Sequence, residues 1–509
     1  MSLIDIINSH GKSRKNIAAH TYRDSIITYG ELKEMSDSLA GYLIEKYGYD
    51  DTPIIVYGHK QKEMLVCFLA CVKAGHAYIP IDSSLPYERI KDIIDSSGAK
   101  MIFSIGDLFH IPPDVSIIYL NEIHELINRY STYHPEKCYA VKEDNVYYII
   151  YTSGSTGKPK GVQITLSNLN SFVKWGLSLL RQVENSDLIF LNQAPFSFDL
   201  SIMDLYLSLA SGSTLFSVDK EMIANPKELF SYLNKSQADI WVSTPSFADM
   251  CLADKSFNRF LMPKLKVMMF CGEVLNNGSV RKIHERFCGV KVINTYGPTE
   301  ATVAVTSVEI TKEVLDAFDP LPVGYVKSDC HIIIADSEGR EVEMGEKGEI
   351  VIAGESVSIG YYKNPEITEK VFFKRAIEGK ELRCYRTGDE GYIKNNNLHY
   401  SGRIDFQVKL NGYRIELEDI ESNLRKIDFI ENAVVLPVLK EQKIQYLTAA
   451  VALNRMVEAT EFKTGLLIKN ELKKFIPEYM IPRKIVIRES LPMTANGKIN
   501  RKALMEEIK

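Results

Sequence analysis

The sequence predicts an α/β protein: a large N-terminal domain of helix-flanked sheets with a β-rich subdomain, then a small mobile α+β C-terminal domain. Three observations carry this reading. Short apolar runs alternate with amphipathic stretches through the first 300 residues, the pattern of parallel strands joined by covering helices. From about residue 320 the texture changes to Gly-rich turns between short runs. After Arg403 a fresh set of apolar periodicities begins.

Taken in order, residues 53–58 (PIIVYG) read as a strand, 63–74 as a helix, 77–82 (AYIPID) as a strand, 87–98 as a helix and 100–105 as a strand. LIFLNQ, STLFSV, DIWVST, KVMMFCG and KVINTYG repeat the strand pattern. DSEGREVEMGEKGEIVIAG reads as hairpins, so a β-rich subdomain at about 320–404 closes a domain of residues 1–404. Residues 413–427 place Ile415, Leu417, Ile420, Leu424 and Ile427 largely on one helical face. NAVVLPVL and YLTAAVAL read as strands, 464–476 as an amphipathic helix and KIVIRESLP as a last strand. Residues 405–509 therefore make their own small core, with the charged stretch Gly402-Arg403-Ile404-Asp405 as the boundary.

Composition narrows the function classes. The 509 residues are 45% hydrophobic and 25% charged, an ordinary globular balance. The net charge of −5 provides no basic field for nucleic acid or an anionic membrane. The longest fully apolar run, which includes 65–72, is far below the roughly 18 residues that a span needs, so no membrane insertion is expected. Asp5 interrupts the only apolar stretch at the N-terminus, which does not read as a secretory signal. The eight cysteines form no CxxC pair, and a reduced, cytoplasmic protein is expected.

Residues 148–165, YIIYTSGSTGKPKGVQIT, carry the strongest local chemistry. An apolar strand runs into hydroxyls and glycines, and then into Lys158 and Lys160. Glycines let backbone amides cup phosphate oxygens, hydroxyls add donors and lysines add countercharge. A Walker loop is excluded, because two residues separate Gly154 from Gly157 and Pro159 follows Lys158.

This segment resembles the phosphate-loop motif of the adenylate-forming enzymes, the superfamily of acyl- and aryl-CoA ligases, luciferases and amino-acid adenylation domains. VKAGHAYIPID (72–82), FSFDLS (196–201), NTYGPTE (294–300), YRTGD (385–389), GRIDFQVKLNGYRIE (402–416) and LPMTANGKINRKAL (491–504) follow in the family's order. The resemblance implies a ligase using ATP and Mg²⁺. On it, Thr152, Ser153, Gly154, Ser155, Thr156 and Gly157 hold phosphates. Asn294, Thr295, Tyr296, Gly297, Pro298 and Thr299 form a second ATP-contacting stretch in which Tyr296 stacks on adenine, and Glu300 helps to hold the metal. Asp389 takes the ribose hydroxyls, and Tyr400, Ser401, Gly402 and Arg403 add nucleotide contacts. Lys498 is the implied catalytic residue, bridging the substrate carboxylate and the α-phosphate; an ammonium there offsets the charge of two approaching anions. Asp405 matches the hinge, with Lys498 presented for adenylation and the loop around Lys409, Leu410 and Gly412 for thioester formation.

Asp199 lies between Phe198 and Leu200 in FSFDLS. A buried carboxylate needs a partner. The α-ammonium of an amino acid supplies one; backbone amides at a helix start are the alternative. Its position matches the amine-holding aspartate of amino-acid adenylation domains. Met203, Cys271, Thr295, Val303 and Ala304 fall where the family lines its pocket, and none is charged. Cys271 stands where a glycine is common and fills space, so a small substrate such as alanine, serine or glycine is expected; the resemblance favours D-alanine. The chain ends five residues after RKAL, so the acceptor is expected to be a phosphopantetheinylated carrier protein in trans. The competing readings are a small-acid acyl-CoA ligase, against which Asp199 speaks, an adenylation enzyme for another small amino acid, and a nucleotide-binding regulator, against which Lys498, Glu300 and Asp389 speak.

Overall fold

Two helix-covered sheets fill most of the first 330 residues. The computed structural model of the chain describes residues 2–108, 113–154, 157–181, 183, 187–440, 443–455, 457, 460–492 and 499–508. The larger sheet has nine strands in the order Tyr325–Val326, Thr306–Glu309, Lys291–Tyr296, Val267–Phe270, Ile240–Ser243, Ile189–Asn192, Thr214–Ser217, Ala18–Tyr22 and Ser25–Thr28. Pairing is parallel from Lys291–Tyr296 across to Ala18–Tyr22 and antiparallel at both flanks. The central strands are continuous apolar runs because helices cover both their faces; Ile240–Ser243 and Val267–Phe270 are buried throughout.

The second sheet has six strands in the order Ser116–Tyr119, Met101–Ser104, Ile54–Gly58, Tyr78–Asp82, Val146–Thr152 and Lys160–Thr165. The expected strands at 53–58, 77–82 and 100–105 all fall in it, and the expected helices appear as Lys62–Lys73 and Tyr87–Ser97. A five-stranded antiparallel sheet follows, built from Cys330–Ala335, Gly348–Gly354, Phe372–Ile377, Lys380–Lys394 and Asn397–Arg403.

The C-terminal residues pair Ile430–Lys440 with Lys443–Leu453, and the latter with Lys484–Arg488, under helices Leu417–Leu424 and Glu461–Leu472. Ile420, Leu424, Val435, Ala449 and Ile468 share their core. One expectation is corrected here. The helix starts at Leu417, not at residue 413, because Tyr413–Glu416 pairs with Gln407–Leu410 as a hairpin. Asn411 and Gly412 form its two-residue loop at φ 52° and 83°, the left-handed conformation that an Asn-Gly turn supplies. The later helix ends at Leu472 and so is placed earlier than 464–476.

The chain divides into two compact units. The first comprises Met1–Ser83, Ser97–Ile150 and Gly161–Ile404. The second comprises Asp405–Lys509 together with two earlier segments, Ser84–Ser96 and Tyr151–Lys160. Among the described residues, no helix is long and apolar enough to cross a membrane.

Candidate active site

In the first unit, Asp199 precedes helix Leu200–Ser211 with helical φ and ψ and makes no side-chain cap to it. The helix start therefore does not orient the carboxylate. Its Oδ2 instead accepts a 2.6 Å hydrogen bond from Thr299 Oγ1, which opens the single-turn helix Thr299–Ala301. The loop before Asp199 is anchored by Lys60, a fully buried lysine that sequence reasoning missed. Its ammonium donates to the Ala194 carbonyl and to Asn192 Oδ1, and lies 4.5 Å from the Phe196 ring centroid. Burial lowers its pKa to about 8.

Glu300 follows Thr299 and is fully buried. Tyr361 donates its phenol to Glu300 Oε1 at 2.7 Å, and the Glu300 carbonyl accepts from Ser358 N–H at 2.9 Å. Tyr361 too was missed, since no spacing links it to Glu300.

Strand Lys291–Tyr296 delivers Asn294, Thr295 and Tyr296, all buried. Asn294 Nδ2 donates to the Pro322 carbonyl at 2.9 Å and Thr295 Oγ1 to the Phe270 carbonyl at 2.8 Å, so both side chains also brace the fold. Tyr296 donates to Asp389 Oδ2 at 2.6 Å, while Arg403 Nη1 donates to Asp389 Oδ1 at 2.8 Å. Burial, then the Asp389 carboxylate, pushes the Tyr296 phenol well above its ordinary pKa and keeps it a donor. Asp389 is 1% exposed and pairs in register with Arg403 across neighbouring strands. Each carboxylate oxygen has a second lone pair, so both can still accept. The Tyr400 ring lies 6.1 Å from that of Tyr296. Ser401 and Gly402 continue the same strand, Asn397–Arg403, and Gly297 and Pro298 link Tyr296 to Thr299.

Met203, Cys271, Val303 and Ala304 are buried in one continuous apolar cluster. Cys271 Sγ donates to the Val303 carbonyl at 3.6 Å. Val303 has φ 69°, and Ala304 N–H bonds the Thr302 carbonyl at 2.8 Å, so Val303 centres a strained γ-turn. Such conformations in β-branched residues cluster at working sites.

The residues expected to hold phosphates fall in the second unit. Thr152 Oγ1 lies 3.5 Å from the Lys160 carbonyl. Ser153 Oγ donates to the Arg414 carbonyl at 3.0 Å and accepts from Glu416 N–H at 3.3 Å. Gly157 N–H closes a turn on the Gly154 carbonyl at 3.0 Å. A Cβ at Gly154 would stand 2.1 Å from the Lys158 carbonyl oxygen, so only glycine fits. Lys160 faces Glu416 at 3.8 Å, and Arg89 pairs with buried Asp419 at 3.1 Å. Asp405 is exposed, and its Oδ1 accepts from Gln407 N–H at 3.1 Å. Lys409 and Leu410 lie on the strand before the hairpin loop, and Gly412 within that loop. Ser155, Thr156 and Lys498 lie outside the described residues.

A family model described as AMP-binding enzyme matches residues 8–362, and one described as AMP-binding enzyme C-terminal domain matches residues 419–498. A Bacillus cytotoxicus protein named D-alanine–D-alanyl carrier protein ligase is 49% identical over 508 residues, covering 100% of each chain. A Bacillus mycoides protein of the same name is 50% identical over 512 residues, again covering 100% of each. A solved Vibrio cholerae adenylation domain in complex with glycyl-adenosine-5'-phosphate superposes with a TM-score of 0.80 at 23% identity, covering 99% of this chain and 97% of that one. The Bacillus subtilis o-succinylbenzoate CoA synthetase gives 0.81 at 20% identity, covering 99% and 98%. At such identities the solved structures speak to the fold alone.

Proposed function

Because the chain belongs to the AMP-binding enzyme family, we propose that it activates D-alanine with ATP and passes it to a phosphopantetheinylated D-alanyl carrier protein, for D-alanylation of lipoteichoic acid. The observation that carries this is identity of about half, over the full length, with ligases of that name. The uncharged residues Met203, Cys271, Val303 and Ala304, taken with the Asp199 carboxylate, support a small substrate bearing an ammonium. The proposed setting is the cytoplasm.

In the first half-reaction a carboxylate oxygen of D-alanine attacks the α-phosphorus of ATP and pyrophosphate leaves. In the second, the pantetheine thiol attacks the acyl carbon of D-alanyl-AMP, AMP leaves, and the thiol proton passes to solvent. Asp199 holds the ammonium, Asp389 and Arg403 the ribose side, and Thr152 to Gly157 the phosphates. Lys498 bridges the reacting groups, and Asp405 is the hinge of the rearrangement between the halves. Fixing two reactants in one geometry supplies much of the rate.

Mg²⁺ fits this donor set. Among the described residues no group of three or more His, Cys, Asp or Glu forms a closed cage. One carboxylate, Glu300, with substrate phosphates is how Mg²⁺ is commonly held. When bound, the ion neutralises phosphate charge; Tyr361 keeps the Glu300 carboxylate aimed.

Exchange of pyrophosphate into ATP tests the reading, with D-alanine, L-alanine, glycine, serine and acetate compared. D-Alanine should give the highest kcat/KM; a D-alanine signal no greater than that of L-alanine refutes the assignment. Lys498→Ala should abolish exchange, and Asp199→Ala should raise the KM for the amino acid far more than that for ATP.

A further inference from the structure

Thr299 links two of the proposed binding stretches. The residue belongs to the proposed ATP stretch, yet its hydroxyl donates to the carboxylate proposed to hold the amine, at 2.6 Å. A hydroxyl has one proton to give and two lone pairs. While that proton serves Asp199, only lone pairs face an approaching phosphate, and lone pairs repel it. Donating to a phosphate therefore takes the proton away from Asp199 Oδ2.

We propose that Thr299 couples the two subsites by exchanging its single hydrogen bond: to Asp199 before substrates arrive, and to a nucleotide phosphate afterwards, as the ammonium of the amino acid takes over Oδ2. This rests on the proposed function and deepens it. Nucleotide binding strips Asp199 of a donor and raises its attraction for an ammonium. Ammonium binding releases the hydroxyl and raises its attraction for phosphate. The two ligands tighten each other, and linkage makes the factor the same in both directions.

Three features make the exchange local. Asp199 takes no cap from its own helix, and Thr299 donates directly to its Oδ2. Glu300, next in the chain, is buried and tied to Tyr361 and to Ser358 N–H, so the turn carrying Thr299 is held and the exchange asks only for rotation of its hydroxyl. Thr299 itself is 7% exposed, so few waters compete for its proton. Thr299 is on this account a positioning residue for the amine as well as a phosphate donor.

Calorimetric binding of D-alanine to the full chain, with and without Mg²⁺ and α,β-methylene-ATP, tests this. In the unaltered protein the analogue should lower the Kd for D-alanine by about fivefold or more, and D-alanine should lower that for the analogue by the same factor. Thr299→Val keeps the shape and loses the proton; it should bind both ligands with coupling below about twofold. Thr299→Ser should restore the coupling. Absence of coupling in the unaltered protein, or full coupling in Thr299→Val, overturns the proposal while leaving D-alanine as the substrate. Failure to bind D-alanine at all overturns the function and the proposal together.

Discussion

His20 is 1% exposed, and its Nε2 lies 2.9 Å from Ser217 Oγ. Burial, helped by the charge of Lys60, lowers its pKa from 6.5 to about 3. The folded protein therefore keeps this ring neutral while the unfolded chain protonates it below 6.5, so stability is lost as the pH falls from 6.5 towards 3, by up to about 1.4 kcal/mol per pH unit. His20→Gln should flatten that acid limb, as read by denaturant unfolding at pH 7 and pH 5; an unchanged limb would count against a neutral buried ring. Cys271, 3% exposed and bonded to the Val303 carbonyl, gives a prediction about selectivity. Cys271→Gly removes a wall of the proposed pocket, so relative kcat/KM in pyrophosphate exchange should move from alanine towards larger apolar amino acids. The methylene and sulfur carry about 1–3 kcal/mol of discrimination, roughly 10- to 200-fold. Selectivity that stays fixed would place the thiol away from the substrate.

At the scale of elements, helix Leu166–Leu179 starts with a reciprocal capping box: Thr165 Oγ1 accepts from Asn168 N–H at 3.2 Å, and Asn168 Oδ1 from Thr165 N–H at 3.0 Å. Thr165→Ala should cost about 1 kcal/mol in denaturant unfolding. In the hairpin Gln407–Glu416, Gly412→Val forces a branched residue to φ 83° and should cost about 1–2 kcal/mol or more. The strands of the large sheets were legible because burial on both faces demands unbroken apolar runs. The hairpin was misread as helix because Ile415 falls in phase with Leu417 and Ile420, while Asn411-Gly412, the true signal, is local turn chemistry. The residue types of the candidate site could be named from the motifs, but their pairings could not. Thr299 with Asp199, Tyr296 with Asp389 and Glu300 with Tyr361 are 100, 93 and 61 residues apart, and only folding joins them. Lys60 looked like any lysine because nothing in its neighbourhood announces burial.

At the scale of the molecule, the α/β class and the large and small parts were written in the order of strand and helix patterns. The composition of the second unit was not, because its two early segments read as ordinary parts of a βαβ array. Arg89, on helix Tyr87–Ser97, pairs with Asp419, which is fully buried; burial raises the pKa of that carboxylate and Arg89 opposes the rise. Taking one partner from a buried ion pair costs roughly 3–5 kcal/mol. Arg89→Met should therefore lower the midpoint of unfolding far more than an exposed substitution does, and Arg89→Met with Asp419→Leu should recover most of the loss.

The three-segment make-up of that unit bears on recombination. Asp405 looks like a natural crossover point for grafting the tail of a related enzyme. A graft made there inherits Ser84–Ser96 and Tyr151–Lys160 from the wrong parent, and with them Arg89 and Ser153, whose partners Asp419, Arg414 and Glu416 arrive from the other. Chimaeras that exchange all three segments should melt above those that exchange residues 405–509 alone. What travels as one piece in this fold is not one stretch of gene.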